Sequence, residues 1–263
     1  MPYRIDIDDP PGDALDRLVE LGALDVEPFG DRLAALMPDG VAPESAARAL
    51  GVGAVAVSAA TPRDGGSVWV LGPRAVTVGG LTVAPEGLPA IPDALRLIDT
   101  PAFGTGLHPT TALSLAALAD ALANAPGRPM LDVGTGSGIL ALAALRLGAP
   151  EATGLDVDPL ALHAAAANAR LNGLADRLRL VGGGPDAVDG TWPLVAANVL
   201  AAPLIEMAPV LVRRVARRGR LVLSGIPLAL EADVRRAYQH LGMHHRHTDR
   251  RAGWTAVVLD ASW

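Results

Sequence analysis

Apolar positions along the second part of the chain follow two alternating patterns. From residue 110 onward, short apolar runs of strand length are separated by segments whose apolar residues recur at helical spacing. Runs that are apolar throughout are typical of strands buried on both faces of a sheet. The pattern therefore predicts a mostly parallel sheet covered by helices on both faces, with strands near 129–133, 152–157, 178–181, 194–198 and 220–224.

The last segment of the chain has a different pattern. Residues 244–248 and 254–260 each read as a strand, and Arg250-Arg251-Ala252-Gly253 joins them. A glycine-containing connection of this length predicts a hairpin. We therefore expect the parallel sheet to end in an antiparallel pair.

The first sixty residues show shorter elements in the order βαββαβ, with a predicted turn at Phe29-Gly30-Asp31. This order predicts a small α+β domain of the ferredoxin-like type, although a merely stabilising extension fits the pattern as well. Residues 61–99 are rich in glycine and proline and predict a linker with local strands, with 68–71 and 75–83 as a possible pair. The predicted division is 1–60, 61–99 and 100–263.

Composition narrows the class of protein. Hydrophobic residues make up 50% of the 263 residues and charged residues 19%, which predicts a globular chain. The absence of cysteine excludes disulfides and thiolate chemistry. A net charge of -6 argues against direct binding of nucleic acid and is compatible with a basic partner. We expect no transmembrane helix and a cytoplasmic location, because apolar stretches are interrupted and the N-terminus lacks a signal-like run.

The strongest local motif is Leu131-Asp132-Val133-Gly134-Thr135-Gly136-Ser137-Gly138, which follows a predicted strand and opens a helix. Glycines in such a turn let the backbone approach a ligand closely. The spacing Gly-x-Gly-x-Gly differs from the Gly-x-Gly-x-x-Gly of dinucleotide binding. Asp156 ends the next strand, where a carboxylate can accept both hydroxyls of a ribose, and Asp132 can reach a cationic group. A nicotinamide-binding turn or an empty glycine turn is the alternative.

Two further segments carry candidate chemistry. Phe103-Gly104-Thr105-Gly106-Leu107-His108-Pro109-Thr110-Thr111 is polar and glycine-rich, and predicts a loop over a ligand cleft or, alternatively, a helix-capping loop. Asn198 ends the fourth predicted strand, on the edge where open α/β sheets bind ligands. Its amide oxygen could orient an amine for in-line attack, and its alternative role is to cap the next helix.

Together these motifs, with Ala197-Asn198-Val199-Leu200-Ala201-Ala202-Pro203-Leu204, resemble the PrmA family of methyltransferases that act on ribosomal protein L11. The resemblance implies a class I methyltransferase domain with a seven-stranded sheet, S-adenosylmethionine as cofactor, and a ferredoxin-like domain that recognises L11. Methyl groups would go to lysine ε-amino and N-terminal α-amino groups. The resemblance implies that Phe103 and Thr105 shape the cofactor and substrate loop, that Gly134, Gly136 and Asp156 hold the cofactor, and that Asn198 contacts the amine. With the residues argued above, the candidate catalytic residues are Phe103, Thr105 and Asn198, and the candidate cofactor-binding residues are Thr111, Asp132, Gly134, Thr135, Gly136, Gly138, Asp156 and Asn198.

Other readings remain open on sequence alone. The chain departs from the family before Phe103 and around Trp69. An alternative is therefore a methyltransferase whose acceptor is another protein or a small amine. A binding module that keeps the cofactor pocket and a nicotinamide oxidoreductase are alternatives to a methyltransferase. No metal site is expected. Strand alternation lets only His245 and His247 share a face, and no carboxylate lies at a spacing that would complete a set of ligands.

Overall fold

The computed structural model describes residues 1–29, 32–63, 68–72, 74–98 and 103–263. Contacts divide the chain into two compact units, Met1–Pro73 and Arg74–Trp263, which we call unit 1 and unit 2. Assignment of recognition to residues 1–60, of linker to 61–99 and of catalysis to 100–263 stays a prediction.

Unit 1 contains the predicted βαββαβ order. Its four strands form an antiparallel sheet in the order β2-β3-β1-β4. Alternate residues of β1 and β3, such as Ile5 and Met37, pack with Leu18 and Leu50 of the two helices. The predicted turn at Gly30-Asp31 lies outside the described residues. The elements are β1 Tyr3–Asp8, α1 Ala14–Glu20, β2 Asp25–Phe29, β3 Arg32–Met37, α2 Pro43–Leu50 and β4 Ala56–Ala59.

The described residues between 62 and 97 form two small sheets instead of the strand pair predicted between 68–71 and 75–83. In unit 1, β5 (Pro62–Arg63) pairs with β6 (Val68–Trp69). In unit 2, β8 (Leu81–Pro85) lies between β7 (Val76–Val78) and β9 (Leu95–Leu97). The prediction was wrong about the pairing because a glycine pair at 79–80 turns the chain back directly after β7.

Unit 2 is built on a seven-stranded sheet in the order β12-β11-β10-β13-β14-β16-β15. The first five strands are parallel, and β16 runs antiparallel to both β14 and β15. The predicted fold class is therefore confirmed, including the terminal hairpin. The strands are β10 Met130–Val133, β11 Ala152–Asp156, β12 Leu178–Gly182, β13 Trp192–Asn198, β14 Val215–Pro227, β15 Met243–Arg251 and β16 Trp254–Ala261.

Helices cover both faces of this sheet, as the uninterrupted apolar strands require. One face packs against α3, α4 and the apolar residues of β8 and β9, and the other against α6 and α7. Alternation within β10 shows the division, since Met130 faces the first cluster and Leu131 the second. The helices are α3 Pro109–Asn124, α4 Ile139–Arg146, α5 Pro159–Leu171, α6 Ala201–Val212 and α7 Glu231–Gln239.

The central strands end level with one another. Val133 of β10 is paired with Leu155 of β11 and with Ala197 of β13. The residues that follow these three positions therefore meet at one edge of the sheet, which is where open α/β sheets bind their ligands. Among the described residues, no helix is long and apolar enough to cross a membrane.

Candidate active site

Residues 134–138, which we call the cofactor loop, connect β10 to α4. The amides of Gly134 and Thr135 both donate to Leu155 O, at 2.9 and 2.8 Å, and so fix the start of the loop on β11. Gly134 has φ 72°, and a Cβ there would lie 2.4 Å from Val199 Cγ1. Any side chain at 134 would therefore be strained and would collide with the segment after β13.

Asp132 lies fully buried beneath the cofactor loop. Its Oδ2 accepts hydrogen bonds from Thr135 Oγ1 at 2.7 Å and from the Ala141 amide at 3.2 Å. Burial raises the pKa of the Asp132 carboxyl to about 7, although these two hydrogen bonds act in the opposite direction. The carboxyl thus ties the loop to α4 and leaves Oδ1 available.

Asp156 stands at the end of β11 and bridges two turns. Its Oδ2 accepts from the Gly136 amide at 2.9 Å, and its Oδ1 accepts from the Asp158 amide at 3.0 Å. Each carboxylate oxygen has a second lone-pair direction, so Asp156 can still accept hydrogen bonds from a diol. The next residue, Val157, is 81% exposed and offers an apolar surface beside this carboxylate.

Three predicted site residues keep buried polar atoms without a hydrogen-bond partner. Among the described residues, four buried side-chain nitrogen or oxygen atoms lack a partner, and three of them are Thr111 Oγ1, Asp132 Oδ1 and Asn198 Oδ1. An unsatisfied buried polar atom costs about 1–3 kcal/mol, so three such atoms on predicted site residues are what a site completed by a ligand would leave in the free protein. The donor and acceptor set fits a polar, cationic cofactor such as S-adenosylmethionine.

Asn198 and the start of α3 are brought together by a serine. Ser224 is paired with Asn198 across β13 and β14, and its hydroxyl donates to Thr110 O at 3.1 Å. The first turn of α3, which contains Thr111, is therefore held beside the end of β13. Asn198 does not cap α6, whose N-cap residue is Leu200 and makes no side-chain cap bond.

Residues 103–108, which we call the acceptor loop, lead into α3. His108 caps the helix by accepting from the Thr110 amide at 3.2 Å. The His108 ring also lies edge-on to Phe103 and to Trp254, with centroid distances of 5.3 and 5.1 Å. Thr105 Oγ1 accepts from the Leu107 amide at 3.3 Å, which shapes the loop internally.

Ser137 joins the two loops. Its amide donates to Phe103 O at 3.0 Å, and its hydroxyl donates to Gly104 O at 2.7 Å. Sequence reasoning assigned no role to Ser137, His108 or Trp254. Ser137 and His108 lie inside the quoted motifs, but nothing in the motif spacing indicates their partners, and Trp254 comes from the distant terminal hairpin.

Gly138 has a packing role in the structure. It precedes α4 with φ 83°, and a Cβ there would lie 3.0 Å from Ala165 Cβ on α5. The glycine therefore lets two helices approach each other closely. A direct contact of Gly138 with cofactor stays a prediction.

His245 and His247 of β15 do not share a face, contrary to the prediction. A bulge between His245 and His247 places them opposite Leu259 and Val258, which are consecutive residues of β16. Consecutive residues of a strand point to opposite faces, so these two histidines do as well. Within the described ranges, no group of three or more His, Cys, Asp or Glu could hold a metal ion.

The sheet order and the glycine loop at the carboxyl end of β10 define a class I α/β methyltransferase. Residues 90–262 match the family model described as ribosomal protein L11 methyltransferase (PrmA). The chain belongs to the PrmA family. The predicted resemblance is thereby confirmed, as is the prediction of a methyltransferase over an oxidoreductase.

Individual relatives agree with this assignment. The chain is 39% identical over 210 residues to a ribosomal protein L11 methyltransferase of Pelobacter propionicus, covering 77% of this chain and 68% of that protein. It is 44% identical over 190 residues to one from Chromohalobacter salexigens, covering 72% and 61%. The second match thus spans less than two thirds of the relative's length.

A solved structure shows the same fold. The crystal structure of a ribosomal protein L11 methylase from Lactobacillus delbrueckii subsp. bulgaricus is similar with a TM-score of 0.64 and 30% identity. The likeness covers 70% of this chain and 95% of that chain.

Proposed function

We propose that this protein transfers methyl groups from S-adenosylmethionine to amino groups of ribosomal protein L11. The observation that carries the proposal is the set of three unpartnered buried atoms, on Thr111, Asp132 and Asn198, in a chain of the PrmA family. L11 as the acceptor protein is supported by the names of the relatives. Lysine ε-amino and N-terminal α-amino groups as the methylated atoms are supported by the amide oxygen of Asn198, which can accept an N–H.

The cofactor loop and its neighbours would hold the cofactor. Gly134 and Gly136 let the loop lie close against Val199 and Phe103 O, which fixes its shape, and Asp156 is available to accept ribose hydroxyls. Asp132 Oδ1 presents an acceptor without a partner, which suits a positively charged group. Val157 and Leu160 expose 81% and 74% of their surface and supply an apolar surface for a planar base.

The chemistry requires an aligned acceptor nitrogen. The cofactor supplies, when bound, an electrophilic methyl group on a sulfonium centre. Asn198 Oδ1 would accept one N–H of the acceptor amine and so direct the nitrogen lone pair, while Phe103 and Thr105 would shape the approach. Alignment of this kind is the main source of rate in a displacement that needs no metal.

Unit 1 is proposed to recognise the acceptor protein. Its small α+β fold is common among binding domains, and its strongly negative composition suits a basic partner. We propose a cytoplasmic location, because the acceptor is a ribosomal protein.

Mass spectrometry of purified L11 after incubation with the protein and S-adenosylmethionine tests the proposal. We expect methyl increments with the wild type and with Asn124→Ala, whose amide donates to Asp120 at the far end of α3. Asn198→Ala should lower the rate roughly 100-fold, the scale of losing alignment, while calorimetry shows that adenosylhomocysteine still binds.

Unmodified L11 in the presence of measurable cofactor binding would contradict the acceptor and favour another protein or a small amine. Cofactor binding without transfer to any amine would favour the binding module. Equal rates for Asn198→Ala and Asn124→Ala would remove Asn198 from the mechanism.

A further inference from the structure

Ser137 and Asn168 connect the cofactor loop to the parts of the chain directly before and after residues 99–102. Ser137 donates to Phe103 O and Gly104 O, after the segment, through its amide and its hydroxyl. Asn168 of α5 accepts from the Ile98 amide at 2.8 Å, before the segment, and donates to Ser137 O at 2.8 Å. All three polar groups of Ser137 are therefore used to join separate parts of the chain.

The contact between the loops is also sterically tight. A Cβ at Gly136 would lie 2.6 Å from Phe103 O, and a Cβ at Gly104 would lie 2.7 Å from Ser137 Oγ. The two loops therefore lie in van der Waals contact as well as being hydrogen-bonded. Ser137 and Asn168 are 2% and 0% exposed, so water does not compete for these bonds.

The strand before the acceptor loop is anchored by the same helix. Asn172, one turn after Asn168, accepts from the Arg96 amide at 2.9 Å and donates to Arg96 O at 2.7 Å. A side-chain amide thus supplies both hydrogen bonds that a neighbouring strand would give to β9. Because α5 fixes Arg96 and Ile98, Ser137 is a point at which the cofactor loop can act on the acceptor loop.

We propose that Ser137 is a positioning residue that couples cofactor binding to the order of the acceptor loop, so that the cofactor prepares the acceptor site before the acceptor protein arrives. A ligand that fixes the cofactor loop also fixes Ser137, and Ser137 holds Phe103 and Gly104. Ordering that the first ligand has already achieved lowers the entropy cost for the second, which gives positive coupling. This inference rests on the proposed function for the identity of the two ligands.

Hydrogen–deuterium exchange with adenosylhomocysteine tests the coupling without any acceptor. In the wild type, the ligand should slow exchange in peptides from both the cofactor loop and the acceptor loop. In Ser137→Ala, protection of the cofactor loop should persist, while protection of the acceptor loop falls roughly 2- to 10-fold, the factor of one hydrogen bond.

Two matched variants separate coupling from loss of stability. Ser114→Ala removes another buried serine hydroxyl, which donates within α3 to Thr110 O, and should behave as the wild type. Ser137→Thr keeps the hydroxyl and should restore protection of the acceptor loop. With L11 as acceptor, Ser137→Ala should raise KM roughly 2- to 10-fold and change the Kd of adenosylhomocysteine by less than about twofold.

Unchanged protection of the acceptor loop in Ser137→Ala, or its absence in the wild type, would overturn the proposal. An equal loss in both loops would overturn it too, because Ser137 would then serve only the cofactor loop. If adenosylhomocysteine fails to bind the wild type in calorimetry, the proposed function fails at its cofactor and the coupling falls with it. If adenosylhomocysteine binds and protects both loops but L11 stays unmodified, only the proposed acceptor is contradicted.

Discussion

Unit 1 and unit 2 carry charge in very different proportions. Residues 1–73 contain 12 acidic and 5 basic side chains, a net charge of -7, whereas residues 74–263 contain 16 and 17, a net charge of +1. Every candidate catalytic or cofactor-binding residue lies in unit 2, which is nearly neutral. The negative charge of the chain as a whole is therefore a property of unit 1, where it suits the basic partner proposed for that unit, and it says little about the cofactor site.

The cores of the two units differ as well. In unit 2, the sheet separates two extensive apolar clusters, and in unit 1 a single smaller cluster lies between one sheet face and two helices. A small core leaves a smaller margin of stability. Recognition and chemistry should therefore be separable by mutation, and the following changes test that separation from the largest expected effect to the smallest.

Gly134→Ala should weaken cofactor binding most, roughly 100-fold or more, because a left-handed φ costs about 1–2 kcal/mol and overpacking about 1–3 kcal/mol. The matched control is Gly173→Ala, which has φ 67° but nothing within 4 Å of the added Cβ. Calorimetry with adenosylhomocysteine measures both variants. Similar affinities would show that the contact with Val199 does not constrain the loop.

Leu18→Ala should destabilise unit 1 by about 2–5 kcal/mol, since Leu18 is 0% exposed in that core. Methylation of L11 should fall, while the Kd of adenosylhomocysteine should stay within about twofold of the wild type. Leu204→Ala, equally buried in unit 2, should lower methylation of L11 and also weaken the binding of adenosylhomocysteine. Thermal unfolding followed with and without ligand makes the comparison, and loss of cofactor affinity in Leu18→Ala would contradict the separation.

Asp132 should make the stability of unit 2 fall as pH rises from about 4 to about 7. Burial raises the pKa of the folded carboxyl from 3.8 to about 7, so in this window the folded state binds a proton that the unfolded state has lost. The stabilisation is complete below about pH 4 and is lost as pH rises through about 7.

Denaturant unfolding at several pH values checks this dependence. Asp132→Asn should flatten the plot of unfolding free energy against pH between about pH 4 and about pH 7. Asp260 acts elsewhere on the pH scale, because its hydrogen bonds and charge pairing with Arg220 and Arg246 hold its pKa below the usual value despite burial. The stabilisation of the folded state that comes from the ionised Asp260 carboxylate is present above about pH 4 and is lost below that. An Asp132→Asn curve identical to the wild type would contradict the effect of burial.

Charge changes on α1 should have the smallest effect. Asp16→Asn and Glu20→Gln remove exposed negative charges from unit 1, and each should raise the KM for L11 by less than about fivefold, with a weaker effect in high salt. Asp176→Asn is the control, because it removes an exposed charge before β12, at the opposite edge of the unit 2 sheet from the site. Identical salt dependence in all three variants would remove unit 1 charge from recognition.

The sequence was most informative where the backbone pattern alone determines position. Period and length predicted the parallel strands, and the end of a parallel strand predicts which edge of the sheet receives Asp156 and Asn198. Glycine spacing identified the loop at 134–138, because close approach requires glycine whatever surrounds it.

Contacts between distant segments could not be predicted in this way. Asn168 reads as a polar residue in an amphipathic helix, yet its amide is buried and joins Ile98 to Ser137. The bulge at Arg246 shifts the register of β15 without any glycine or proline to mark it. These features depend on which elements meet in space, and a single sequence contains no local signal for that.

The position of β16 inside the sheet has a consequence for synthesis. β16 lies between β14 and β15 although it follows both along the chain. While the chain grows, the outer edge of β14 therefore stays open until residues 254–261 have emerged, a delay of roughly two to seven seconds at ordinary translation rates. An open apolar edge is a template for wrong pairing, so a nascent chain stalled before Trp254 should be held by chaperones and degraded more readily than one released after Ala261.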